Sequence, residues 1–72
     1  MRLVDALGTR CPVPVTLTAR EAARAESGDL IEVLADDPMV LVDLPAWCFE
    51  HGHALVSIES DADELRAVVR VA

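Results

Sequence analysis

The sequence predicts an α/β (α+β) two-layer sandwich of order β-α-β-α-β-β, with a mixed four-stranded sheet and two helices on one face. Three observations lead there. Apolar residues recur at helical spacing after an early proline pair, with turn chemistry closing the segment. A nearly continuous β-branched run, Leu30-Ile31-Glu32-Val33-Leu34, follows as a central strand. Two alternating segments joined by a polar loop end the chain as a hairpin. A strand–helix–strand unit implies a parallel pair, the hairpin adds antiparallel strands, and two helices suffice for one sheet face.

Leu3 to Leu7 alternate as a short first strand, and Gly8-Thr9-Arg10 turns the chain. Pro12 and Pro14 fit the first turn of a helix, where backbone N–H groups have no intrahelical partner. Cys11 then takes the capping position. Val15, Thr18, Ala19, Ala22, Ala23 and Glu26 form the expected inner face, with Thr16, Arg20, Glu21 and Arg24 opposite. Gly28 is expected as the C′ residue. After the central strand, Asp37 reads as an N-cap with Pro38 at the first helical position. Pro45 predicts an interruption, giving a short turn over Pro38 to Asp43 and a better helix from about Pro45 to His51, stopped by Gly52. His53 to Glu59 and Glu64 to Val71 are the hairpin strands, joined through Ser60-Asp61-Ala62-Asp63. In the last strand Leu65, Ala67, Val69 and Val71 point inward, Arg66 and Arg70 outward.

The 72 residues correspond to a single domain, 1–72, with a thin core. Thirteen acidic residues against six arginines give a formal charge of −7 with no lysine, which argues against direct nucleic-acid binding. The first residues carry no apolar signal region and no run is long enough to cross a bilayer, so a cytoplasmic protein is expected. Two cysteines in a reducing compartment point to thiol chemistry or packing rather than a structural disulfide.

Cys11 is the leading candidate for chemistry. A cysteine at a helix start receives the positive end of the helix dipole and the free N–H groups of the first turn. Arg10 adds a neighbouring positive charge, so a lowered thiol pKa is expected, and Pro12 and Pro14 stiffen the loop. Cys48, between Trp47 and Phe49 in the second helix, reads as core, with a reversible Cys11–Cys48 disulfide as the alternative. His51 and His53 make a poor metal site. Asp36 falls at the carboxyl end of the central strand, the edge from which the first helix also starts, making it a neighbour of Cys11. No Ser-His-Asp set, phosphate-cradling loop or dinucleotide fingerprint is present.

Leu7-Gly8-Thr9-Arg10-Cys11-Pro12-Val13-Pro14 resembles the L-G-x-x-C-P-x-P signature of the TusA (SirA/YhhP) sulfur-carrier family. The likeness continues through Ser27-Gly28-Asp29, Ala35-Asp36-Asp37-Pro38, Asp43-Leu44-Pro45-Ala46-Trp47-Cys48 and Gly52-His53-Ala54-Leu55, and ends in the strand containing Arg66 to Arg70. The resemblance implies the β-α-β-α-β-β fold, no bound cofactor, and a sulfurtransferase that accepts sulfane sulfur as a persulfide on Cys11. It implies a donor such as a cysteine desulfurase or rhodanese-like protein and an acceptor of the DsrE type or similar. The sulfur would serve tRNA thiolation, molybdenum-cofactor maturation or sulfur oxidation. Basic residues that the family commonly carries six to nine positions beyond the cysteine are here Leu17, Thr18, Ala19 and Arg20. Arg20 is thus the remaining candidate for partner contact. The alternatives to a carrier are a non-catalytic regulatory interaction module of the same fold and a Cys11/Cys48 redox switch.

Overall fold

The computed structural model describes residues 1–72. The elements run β1 (Arg2–Asp5), α1 (Val13–Arg24), β2 (Leu30–Ala35), α2 (Val40–His51), β3 (Ala54–Asp61) and β4 (Glu64–Arg70). The sheet order is β1-β2-β4-β3. β1 and β2 are parallel, with Val4 opposite Val33. β4 is antiparallel to both β2 and β3. The predicted fold class, with its mixed four-stranded sheet and two helices, is the one observed.

The period-2 pattern sorts the sheet's two faces. Val4, Ile31, Val33, Ala35, Leu65, Ala67, Val69 and Val71 are all buried, and Val40, Leu44 and Cys48 of α2 complete the cluster against them. The opposite sheet face carries the Glu32–Arg66 ion pair, 3.3 Å across the β2–β4 ladder. Arg2 ties the sheet edge to the end of α1: its guanidinium meets Glu21 at 2.8 Å and donates to the Arg24 carbonyl at 3.1 Å.

Several boundaries differ from the sequence expectation, each for a local reason. β1 ends at Asp5, because the Asp5 carboxylate accepts the Leu7 N–H at 3.1 Å and turns the chain. α1 ends at Arg24 rather than running on towards Gly28, with Ala25 extended as its C-cap. Gly28 therefore serves a separate turn at φ +91°, in which Asp29 accepts the Glu26 N–H at 2.9 Å. The inner face of α1 is also rotated. Pro14 and Thr18 are buried, with Val15, Leu17 and Ala22 packed beside the core, whereas Ala23 and Glu26 are exposed.

α2 is one helix through Pro45, not a turn followed by a helix. Its start is wound by bonds from the N–H groups of Val40, Leu41 and Val42 to the carbonyls of Asp37, Pro38 and Met39. Pro45 removes one later backbone donor, and the burial of Val40, Leu44 and Cys48 on one side offsets that loss. Gly52 ends α2 in the left-handed region at φ +73°, as its position after His51 predicts. The hairpin turn tightens to Ala62 and Asp63, with Ala62 at φ +55°.

Only 14 of 72 residues are buried, so a single core truncation removes a large share of the packing. Leu44→Ala is expected to lower the unfolding free energy by about 2–5 kcal/mol in urea titration. Leu41→Ala, on the same helix but 49% exposed, is expected to change it by less than about 0.5 kcal/mol.

Candidate functional site

The loop between β1 and α1 is built from backbone hydrogen bonds that successive side chains extend. The Thr9 N–H and hydroxyl both donate to the Ala6 carbonyl, at 3.2 and 2.7 Å. Gly8 sits at φ +78°, a conformation that favours glycine, and its N–H donates to Asp36 Oδ2 at 3.0 Å. Three residues on, the Cys11 N–H donates to Asp37 Oδ2 at 2.8 Å. The loop bearing Cys11 is thus pinned at two points to the carboxyl end of β2.

Cys11 is half-buried and packs against the core cluster. It lies one residue outside the expected capping position: Pro12 is the N-cap, at φ −93° and with no side-chain cap bond, and Pro14 falls in the first turn. Pro14 is buried and its carbonyl accepts the Thr18 hydroxyl at 2.8 Å, whereas Pro12 is exposed. Asp36 is exposed and reaches the Gly8 N–H; its neighbour Asp37 holds Cys11. Arg20 is exposed on α1, roughly two turns from the Cys11 end of that helix, beside Leu17 and Arg24.

The expected activation of the thiol is corrected. Burial, then the neighbouring Asp43 carboxylate, then the charges of Asp37 and Asp43 push Cys11 up to about 11. The helix start has few N–H groups to offer the thiol. Pro12 and Pro14 have no N–H to offer, the Val13 N–H is taken by the Arg10 carbonyl, and the Thr16 N–H by the Pro12 carbonyl. Arg10 acts elsewhere: with the N–H groups of Met39 and Cys11, its charge helps hold the Asp37 carboxyl below its ordinary value. Arg10 also lines a polar recess of about 380 Å³ with Gly8, Thr9, Asp36, Asp37 and Pro38.

Asp37 and Asp43 are the residues that sequence reasoning missed here. Asp37 was expected to cap α2 directly. Met39 holds that position instead, and Asp37 Oδ1 accepts the Met39 N–H at 3.0 Å in the turn before the helix. The adjacent Asp-Asp-Pro run was the available signal, because two carboxylates at a strand end can serve two loops at once. Asp43 gave no signal: only the packing of α2 beside the loop brings it to the thiol. Cys48 is buried as expected, 2% exposed, and burial raises its pKa. His53 Nδ1 accepts the Ala72 N–H at 3.0 Å and pins the end of the chain. No three metal-ligating side chains come together, and no helix is long and apolar enough to cross a membrane.

A mixed-sheet sandwich presenting one thiol at the carboxyl edge of its parallel strands defines a small thiol-bearing α/β protein. The family model described as sulfurtransferase TusA matches residues 2–71, and the chain belongs to that family. The crystal structure of a SirA-like protein from Desulfitobacterium hafniense is similar throughout, with a TM-score of 0.86 and 26% identity. The alignment covers 100% of this chain and 99% of that one. Membership of the family implies a sulfur-carrier role and partners in a sulfur relay.

The pH dependence has a definite sign. The Cys11 pKa is raised in the fold, so its contribution to stability is complete below the unfolded value near 8.5–9 and is lost as pH rises through about 11. Iodoacetamide labelling of Cys11, followed by peptide mapping, should accelerate with pH to a midpoint near 11. Asp43→Asn should move that midpoint down. A wild-type midpoint at or below the ordinary thiol value would contradict the electrostatics described.

Proposed function

We propose that the protein is a persulfide sulfurtransferase in which Cys11 accepts sulfane sulfur from one protein and hands it to another. The observation that carries the reading is the Cys11 loop, clamped by Asp36 and Asp37 at the sheet edge, in a chain the sulfurtransferase TusA model matches over residues 2–71. Cys48 is enclosed in the core and both cysteines are free, which favours a one-cysteine carrier over a Cys11/Cys48 switch.

In the accepting step, the Cys11 thiolate attacks the outer sulfur of the donor's persulfide. The donor's S–S bond breaks, the donor cysteine leaves as thiolate, and an S–S bond forms on Cys11. The donor thiolate takes up the proton that Cys11 gave up, so no external oxidant or reductant is needed. In the donating step an acceptor thiol attacks the outer sulfur and Cys11 leaves. Asp37 keeps the Cys11 backbone in place through both steps. Because the raised pKa keeps the thiolate fraction of the free protein small, reaction is slow there and faster in complexes in which the thiol's surroundings change. The donor in this reading is a cysteine desulfurase or rhodanese-like protein and the acceptor a DsrE-type or similar relay protein. The relay would end in tRNA thiolation, molybdenum-cofactor maturation or sulfur oxidation. Arg10 supports the loop through Asp37, and Arg20 remains a candidate contact for one partner.

Intact-protein mass spectrometry after incubation with cysteine and a cysteine desulfurase tests the reading. Wild type and Cys48→Ala should each gain one reducible sulfur atom, and Cys11→Ser none. A protein that gains no sulfur from the desulfurase, from thiosulfate or from polysulfide would be an interaction module that keeps the fold without the chemistry.

A further inference from the structure

α2 is apolar on both of its sides, and only one of them faces the core. Val40, Leu44 and Cys48 point inward and are buried. Met39, at its N-cap, begins a second row: Met39, Val42, Ala46 and Phe49, at spacings of three, four and three, form one stripe on the outside. Met39 is 50%, Val42 61% and Phe49 88% exposed. α1, in the same layer, follows the ordinary pattern and turns Thr16, Arg20 and Arg24 to solvent. A helix that is apolar all round is ordinarily covered on all sides.

The outer stripe is continuous with the thiol. Asp43 lies within α2, and its carboxylate is one of the two whose charge reaches the Cys11 thiol. The Met39 N–H and the Cys11 N–H are held by the two oxygens of one carboxylate, Asp37. Whatever lies along the stripe therefore also stands beside the sulfur. The charged groups framing it are mostly acidic: Asp36, Asp37, Asp43 and Glu50, with Arg10 beside Asp37 as the one cation and neither lysine nor arginine in α2. A second copy of the chain would set these acids against themselves on top of a formal charge of −7 in each protomer. A partner whose apolar groove is rimmed by Lys and Arg meets both the stripe and its frame.

We propose that the outer face of α2 is the docking surface for the protein that exchanges sulfur with Cys11, and that this partner offers an apolar groove with a basic rim. The inference rests on the persulfide reading above. It adds a consequence for activation. Cationic side chains placed against Asp37 and Asp43 offset the charge contribution to the raised thiol pKa, which is smaller than that of burial.

The test compares loading of Cys11 from a cysteine desulfurase, which must dock, with loading from inorganic polysulfide, which need not. Val42→Ser and Phe49→Ser change exposed side chains, and circular dichroism checks that each variant is folded. Val56→Ser, 48% exposed on β3, is the control for a general loss of surface hydrophobicity. The proposal expects both α2 variants to load at least about tenfold more slowly from the desulfurase, with polysulfide loading and the Val56→Ser variant unchanged. It also expects desulfurase loading to weaken as salt rises. Equal desulfurase rates for wild type and the α2 variants would overturn the docking surface and leave the persulfide reading standing. Desulfurase loading that strengthens with salt would overturn the basic rim. A wild-type dimer in sedimentation, dissociated by Val42→Ser or Phe49→Ser, would assign the stripe to a second copy instead. A wild type loaded by neither donor would remove the persulfide reading and this inference with it.

Discussion

One Asp37 oxygen accepts the Cys11 N–H at 2.8 Å and the other the Met39 N–H at 3.0 Å, so a single carboxylate joins the cysteine loop to the start of α2. Both bonds are charge-assisted, stronger than neutral ones, and they favour the ionised form of the acid. Asp36, one residue earlier, accepts the Gly8 N–H at 3.0 Å. The sheet supplies the rigidity behind these contacts, because β2 is paired on both edges and ends directly at the two acids. The placement of Cys11 therefore follows from the strand ladder rather than from the loop's own preferences.

Asp37, together with burial and with Asp43 of α2, also sets the electrostatics of the sulfur. A loop anchored by carboxylates is firmly positioned, but it surrounds the thiol with negative charge, and the proline-rich helix start has few amides left to oppose it. Position and reactivity are thus separated: the fold provides the first, and the second depends on what is brought to the site. For a small carrier this separation is useful. A protonated thiol is a weak nucleophile and is slow to oxidise, whereas a low-pKa exposed cysteine reacts with whatever it meets. The apolar outer side of α2 and its acidic frame describe the complementary surface that such a carrier calls for.

The fold was legible in the sequence because its signals are local and periodic. Alternation of Leu65, Ala67, Val69 and Val71 marks β4, the continuous run at Leu30 to Leu34 marks a strand paired on both sides, and Gly52 marks the end of α2. Boundaries moved where a side chain competed for backbone, as at Asp5 and Asp29, or where packing outweighed a local breaker, as at Pro45. At the site, the place of Cys11 at the sheet edge was legible, whereas its half-burial against the core and its protonation state were not. That state is set first by burial and then by Asp43 and Asp37, 32 and 26 residues away in the chain, and no spacing rule brings them together. The exposure of Phe49 was equally hidden, since an aromatic beside a buried cysteine reads as core until the helix's rotation is known.

Backbone amide hydrogen exchange of wild type and Asp37→Ala tests the central claim, that Asp37 holds the cysteine loop to the sheet. Protection at Cys11 should be lost in the variant while the amides of Ile31 and Val33 in β2 keep theirs. Undiminished protection at Cys11 without the Asp37 carboxylate would contradict the account, because the loop would then be held by something other than the end of β2.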